Sequence, residues 1–383
     1  MTSRTQLLWA ACAGIFVFGI TLAVLGVLFG LPEMRERLGV NLVQQGNVLL
    51  SLFSGVLLST LISGPLIDSY GNKIVLTVSA LTVTVAFLVF SAAVSFPAAV
   101  GASFLLGFGG GGLNNSTNAL VAALYAENRG AMLNVLGTFF GVGALAVPLA
   151  AALLRERFSM PQLLVGAGVM AAALTVWFLF VPFPPPPETV GFSMLGSLRA
   201  AQYPGVLLFA AILFCQSGNE SSIGGWTSTY LGTLGASPLT ATLVLSGYWG
   251  ALMLGRLAGA RILSILSKPR LILIAAIGSV LGSAMIVTSR SIPLVAAGAI
   301  LSGLSFATIY PTILAIAADR YQRSAGTIFG FLFAVGLIGG MLFPWLIGYV
   351  SQTYSVRAGM AIPVIGALAV ATLAQKMPKR GQV

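Results

Sequence analysis

Charge is what this chain has least of. Only 7% of its 383 residues are Asp, Glu, Lys or Arg, whereas a soluble domain carries about a quarter. Hydrophobic residues make up 57%, and the mean hydropathy is +0.99. A water-facing surface cannot be built from that composition, which excludes a soluble globular protein. Histidine is absent, removing the commonest metal ligand and proton-relay side chain. The two cysteines, Cys12 and Cys215, fall inside apolar segments and read as small buried residues, silent about redox compartment. Eight acids against nineteen basic residues leave a net charge of +11. In so oily a chain the excess reads as membrane topology and contact with anionic headgroups, so no nucleic-acid partner is expected. No metal cluster, nucleophile with a base, or cofactor motif survives inspection; an enzyme and a bound cofactor are not expected.

What is present is a series of apolar runs about twenty or more residues long, the length a helix needs to cross hydrocarbon. Twelve spans are expected, at about 7–31, 43–67, 73–95, 97–125, 131–154, 160–182, 203–232, 238–264, 270–289, 292–317, 323–350 and 355–376. The weak alternation of a β-barrel is missing. The first run lacks a cleavage site and reads as a retained helix. Most basic residues, among them Arg4, Lys73, Arg129, Arg199, Arg256, Arg261, Lys268 and Arg320, fall on one side of this pattern, with Arg35, Arg37, Arg155, Arg157, Arg290 and Arg357 on the other. The positive-inside rule then places both termini in the cytoplasm of a bacterial-type inner membrane.

The stretch VPFPPPPETVGFSMLGSLRAAQYPG, 181–205, interrupts the chain near its middle, and its four consecutive prolines cannot continue a helix. The expected organisation is an N-terminal six-helix half at 1–182, a cytoplasmic linker at 183–202 and a C-terminal six-helix half at 203–383. The halves echo each other. GFGGGGLNNSTNALVAALYAENRGAML at 107–133 corresponds to GLSFATIYPTILAIAADRYQRSAGTIF at 303–329, and each continues into a Gly-rich helix with a proline, Pro148 or Pro344. Repeats of this kind are the usual plan of secondary transporters, with the binding site near mid-membrane. Gly107, Gly109 and Gly112 satisfy a dinucleotide-loop spacing, but inside an apolar span they read as close helix packing.

CQSGNESSIGGWTSTY, 215–230, holds Glu220, the one acid at membrane depth; the other seven fall in loops or the linker. An ionised carboxylate there costs about 2.5 to 3.5 kcal/mol. No basic residue is expected at its depth, because Arg256 and Arg261 belong near the end of the eighth span. Three readings are open: a proton site, a sodium ligand, or an acceptor for solute hydroxyls. A protonated structural residue is the plainer alternative. Gln216 and Asn219 lie within two turns of Glu220, and Trp226 and Tyr230 follow at a spacing that returns them to a shared face, a set that suits a ligand with polar edges and C–H faces. Gly224 and Gly225 weaken the helix and would allow local unwinding. On the fourth span, Asn114 and Asn118 share a face, and Asn115 lies beside them. Gln45, Tyr248 and Tyr310 complete the candidate substrate-binding residues.

GPLIDSYGNK, 64–73, sits between the second and third spans and resembles the G-x-x-x-D-x-x-G-x-[RK] loop of the major facilitator superfamily, through Gly64, Asp68, Gly71 and Lys73. The second half carries a degenerate counterpart from Gly255 and Arg256 to Arg270 that lacks the acid. Within that superfamily the chain is similar to the fucose:proton symporter and sodium-dependent glucose transporter group, through GFGGGGLNNSTNALV, the E-x-x-x-G-G-W-x-x-x-Y pattern from Glu220 to Tyr230, and YPTILAIAA. Relatives of this group carry an acid in the first span, and residues 16–30 have none. The resemblance implies an all-α membrane protein of two pseudo-symmetric halves, in which Asp68 stabilises one conformation by contact with the opposite half. It further implies a monomeric cation-coupled symporter for a sugar or similar polyhydroxylated solute, using a proton or sodium and alternating access. Two other readings are weighed against it. A proton-coupled exporter of amphipathic compounds would want fewer Asn and Gln residues, and a membrane sensor would want a longer output segment than MPKRGQV.

Overall fold

In hydrocarbon no water is available to bond a free N–H or C=O, so each crossing segment must satisfy its own backbone, and helices do so. The computed structural model describes residues 4–185, 202–263, 265–321 and 325–377, and within them the chain is helical almost throughout. The linker expected at 183–202 therefore lies almost wholly outside the described residues.

The helices are α1 (Arg4–Gly30), a short α2 (Pro32–Leu38), α3 (Leu42–Ala92), α4 (Phe96–Leu124), α5 (Arg129–Leu154) and α6 (Met160–Phe180). After them come α7 (Pro204–Thr233), α8 (Pro238–Ile262), α9 (Lys268–Thr288), α10 (Ile292–Arg320), α11 (Ala325–Thr353), α12 (Val356–Gly359) and α13 (Ala361–Gln375). Ten helical stretches among the described residues are long and apolar enough to cross a membrane. One of them, α3, has 51 residues, enough for two crossings, and its arms meet at Gly71 (φ 79°, ψ 168°). The sequence suggests a loop of several residues here. A single glycine suffices, because only a residue without Cβ adopts that backbone freely. The α8 helix has 25 residues but is not among the ten, since its polar and basic residues lower its hydropathy.

The chain divides into two compact units, Met1–Gly191 and Phe192–Val383. Within the first, α3 packs along α4 and α6, and α1 lies against α5 and α4. Glycine makes these approaches possible. A Cβ on Gly107 would overlap the Leu52 carbonyl, and one on Gly55 the Phe104 carbonyl, so α3 and α4 meet backbone to backbone. Gly109 lies against the Ser79 carbonyl of α3 and Gly112 against the Ser79 hydroxyl, which is the packing role read from their setting.

In the second unit α7 packs against α11, α13, α10 and α8. Its core gathers Phe209 and Leu213 of α7, Ile272 of α9, Ile313 of α10, Leu332 of α11 and Val370 of α13. The units use the same local device. Gly143 of α5 sits on the Phe16 carbonyl of α1, and Gly339 of α11 sits on the Phe214 carbonyl of α7. Apolar side chains such as Val85, Val169, Leu281 and Ile365 remain exposed, as lipid-facing surface requires.

Candidate functional site

Glu220 lies near the middle of α7, and Arg256 lies in the last two turns of α8. Their helices are neighbours joined by a four-residue connection, 234–237, and run antiparallel. Helical side chains lean toward the N-terminus of their own helix. On antiparallel helices the Glu220 and Arg256 side chains therefore lean toward each other, and Glu220 Oε1 meets Arg256 Nη2 at 3.5 Å. This corrects the expectation that Glu220 has no basic partner: the Arg256 backbone is near a helix end, but its long side chain reaches back to the carboxylate. The side chains keep 19% (Glu220) and 28% (Arg256) of their surface exposed, so the pair is enclosed without being sealed.

Two tyrosines attend this pair. The Tyr248 hydroxyl, from α8, donates to the Glu220 main-chain carbonyl at 3.0 Å, and Tyr310 of α10 lies within electrostatic reach of the Glu220 carboxylate. The Tyr310 and Ser217 hydroxyls both flank Gly336 of α11. One turn from Glu220, the buried Gln216 donates Nε2 to the Phe306 carbonyl at 3.3 Å, and its Oε1 has no partner among the described residues. Glu220, Gln216, Tyr248 and Tyr310 are thus brought together with Arg256.

The remaining candidates of α7 are placed elsewhere. Asn219 faces α13, and in the amide orientation that satisfies both atoms it pairs with the Pro363 carbonyl (3.2 Å) and the Ala367 N–H (3.1 Å). Trp226 is fully buried and donates Nε1 to the Pro344 carbonyl of α11 at 3.1 Å. Tyr230 is buried too, its hydroxyl 3.4 Å from the Ser289 carbonyl and 3.4 Å from Arg357 Nε. The helix α7 is continuous through Gly224 and Gly225, and Gly224 makes room for the Trp249 ring.

In the first unit, Asn118 donates Nδ2 to the Asn114 carbonyl (2.8 Å) and to Asn114 Oδ1 (3.0 Å), which keeps this half-buried pair on one face of α4. Asn115 turns to α3 instead, donating to Ser63 Oγ at 2.7 Å. Gln45 is fully buried near the start of α3. At the corner of α3, Gly64 and Asp68 are half-buried, Gly71 carries the turn and Lys73 is exposed. Next to that turn the buried Asn72 accepts from Ser116 Oγ at 2.9 Å, which pins the corner to α4. A groove of about 700 Å³ in this unit is lined by Trp9, Phe16, Phe139 and Trp177 with Thr5, Gln6, Ala13 and Val142, and none of the candidate residues contributes to it.

A family model described as Major Facilitator Superfamily matches residues 11–344, with a second match over 208–380. The chain belongs to the Major Facilitator Superfamily. It is a membrane transporter that handles small solutes. Among relatives of this superfamily member, an uncharacterized transporter, y4wD, of Sinorhizobium fredii is 25% identical over 359 residues, covering 91% of this chain and 94% of the relative. Protein TsgA of Escherichia coli is 24% identical over 348 residues, covering 89% and 86%. The crystal structure of the nucleoside transporter NupG superposes with a TM-score of 0.80 at 14% identity, covering 97% of this chain and 98% of that one. The fucose:proton symporter FucP of E. coli gives 0.69 at 17% identity, covering 98% and 100%. At these identities the two structures speak for the fold.

Arg256 is the residue that sequence reasoning missed in this superfamily member. The usable signal was that Arg256 lies within the expected eighth span rather than beyond its end, and its helix α8 continues six residues past it.

Proposed function

We propose that this chain is a proton-coupled symporter of a polyhydroxylated solute, working by alternating access with Glu220 as the proton carrier. The observation that carries the reading is the 3.5 Å pair between Glu220 and Arg256, partly open and placed in the middle of a membrane helix. An ionised Glu220 is offset by Arg256; a protonated Glu220 is neutral and releases the guanidinium to bond elsewhere. The pair thus has two tolerable states that differ by one proton. Sodium suits the site less well, because it would have to sit beside a fixed guanidinium charge and displace it from the carboxylate.

The hydroxyl-rich character of the solute is supported by the tyrosines and by Gln216 Oε1, one turn from Glu220, which has no partner among the described residues. FucP is a fucose:proton symporter and NupG a nucleoside transporter, and both kinds of solute bear several hydroxyls. The test is uptake into liposomes containing the purified protein, with labelled sugars, sugar acids and nucleosides and an imposed pH gradient. Accumulation of one class is expected, independent of sodium at fixed pH. Glu220→Gln should abolish accumulation yet retain counterflow exchange; normal accumulation by that variant would overturn the reading.

A further inference from the structure

We infer that the groove of the first unit binds an anionic phospholipid, one acyl chain lying along Trp9 and Trp177 and the phosphate meeting Arg4 and Arg129. The site is separate from the Glu220–Arg256 pair, which belongs to the second unit. Thr5, Trp9, Ala13 and Phe16 line the groove at spacings of four, four and three residues, so they form a single stripe of α1. From Thr5 to Phe16 a helix rises about 16 Å. The hydrocarbon of a bilayer is about 30 Å thick, so the stripe runs from the start of α1 through one leaflet, the length of one acyl chain. Deeper still, Gly19 lies on the Phe140 carbonyl and closes α1 against α5. Toward the helix starts the facing side chains are large instead: Trp9 stands edge-on to Phe139 at 5.8 Å, and Trp177 of α6 joins the lining.

The mouth of the groove sets it apart from ordinary lipid-facing surface. Trp9 lies near the start of α1 and Trp177 near the end of α6, and the six crossings of this unit bring those two ends to the same membrane face. Tryptophan at that level marks the headgroup boundary, and both rings are open to it, with 55% (Trp9) and 36% (Trp177) of their surface exposed. Arg4 and Arg129 open α1 and α5 at this face and are exposed. Two contacts make them neighbours. The Tyr125 hydroxyl, at the end of α4 and one turn before Arg129, donates to the Arg4 carbonyl at 3.4 Å. Gly143 of α5 sits on the Phe16 carbonyl of α1, and from that level the parallel helices run back over similar lengths to Arg129 and Arg4. Neither arginine has an ion-pair partner among the described residues. Against them stands Glu127, exposed in the turn before α5, so this corner keeps an excess of one positive charge. A phosphodiester headgroup brings the matching negative charge, and arginine holds phosphate in a two-pronged fork. A free phosphate would satisfy the arginines alone, and a neutral lipid the stripe alone; an anionic lipid uses both.

The test titrates the purified full chain in detergent with dioleoyl phosphatidylglycerol, dioleoyl phosphatidylcholine or inorganic phosphate and follows the melting temperature. Phosphatidylglycerol should raise it by several degrees more than phosphatidylcholine, which has the same chains, and phosphate should leave it unchanged. Arg4→Gln and Arg129→Gln should each weaken the apparent affinity for phosphatidylglycerol about fivefold, the usual worth of one basic residue near an anionic surface, while that for phosphatidylcholine stays as it was. Raising the ionic strength from about 0.1 to 1 M shortens the Debye length from about 10 to 3 Å and should narrow the gap between the two lipids. Ala13→Phe fills the stripe and should remove the preference, whereas Val85→Phe, on exposed apolar surface of α3, should keep it. Equal shifts from the two lipids, an equal shift from phosphate, or a preference that survives in the Arg4→Gln/Arg129→Gln double variant would overturn the proposal. So would a preference unchanged in an Ala13→Phe protein that still melts cooperatively. If Ala13→Phe does not fold, the arginine variants decide, because both side chains are exposed and their loss opens no core.

Discussion

The Ser221 hydroxyl of α7 reaches the Gly340 carbonyl of α11 at 3.0 Å, sharing its proton with the Ser217 and Gly218 carbonyls of its own helix at 2.8 and 3.1 Å, and the Gly340 carbonyl lies four residues before Pro344. Proline has no N–H to give the oxygen one turn back, so α11 leaves it without its usual helical donor. The Ser221 hydroxyl fills that role, and Trp226 bonds the Pro344 carbonyl itself at 3.1 Å. Two polar residues of α7 thus stitch it to the kink-prone turn of α11. Ser221→Ala should lower stability by about 1 kcal/mol, a usual size for an interhelical hydrogen bond in a membrane protein. Adding Pro344→Ala should recover most of that loss, since alanine restores the N–H. Thermal melts of the three proteins check this; equal losses in the single and double variants would disprove the proposed compensation.

Gly71 sits at φ 79° and ψ 168°, a region in effect open only to glycine. Gly71→Ala should cost about 1 to 3 kcal/mol. Asparagine, which tolerates the left-handed helical region, should not do better here, because ψ is far from that region. Equal melting losses for Gly71→Ala and Gly71→Asn are expected; a mild effect of asparagine alone would mean that the corner relaxes.

Gly339 and Gly143 carry backbone-to-backbone contacts, whereas a Cβ on Gly137 of α5 would meet nothing within 4 Å. Gly339→Ala and Gly143→Ala should each destabilise by about 1 to 3 kcal/mol, because a carbonyl cannot step aside as a side chain can. Gly137→Ala should be neutral or stabilising by up to about 1 kcal/mol through helix propensity alone. Melting temperatures of the three variants separate packing from propensity.

These contacts show which parts of the structure were legible in the sequence. The long apolar runs fix the helices, since hydrocarbon allows few other structures, and the Gly-rich segments at 107–112 and 336–340 announce close packing because little else explains so many missing side chains. The motif around Gly71 was legible as a corner, though not as a break of a single residue. Polar residues were harder to read. A buried Asn, Trp or Tyr must bond to something, but its spacing along one helix does not say whether the partner is a solute or the next helix. Asn219, Asn115 and Trp226 all found helix partners. The Arg256 pairing stayed hidden for a different reason. Depth estimated from the backbone position ignores the reach of a long side chain that leans toward its helix N-terminus.

That pairing leads to a stability cycle independent of transport. Glu220→Gln leaves Arg256 charged, because a guanidinium keeps its proton, whereas Arg256→Gln leaves a carboxylate that can take one up. The two single losses should therefore be unequal near neutral pH, with Glu220→Gln the more destabilising. The double variant should be more stable than the additive sum of the two by about 1 kcal/mol, within the range that contacting residues show. Both partners are partly exposed, which keeps the coupling well below that of a sealed ion pair. Denaturation midpoints of the four proteins, in one detergent at one ionic strength, give the coupling directly. A coupling near zero would mean that the 3.5 Å approach stabilises nothing, and that Glu220 and Arg256 must be explained separately.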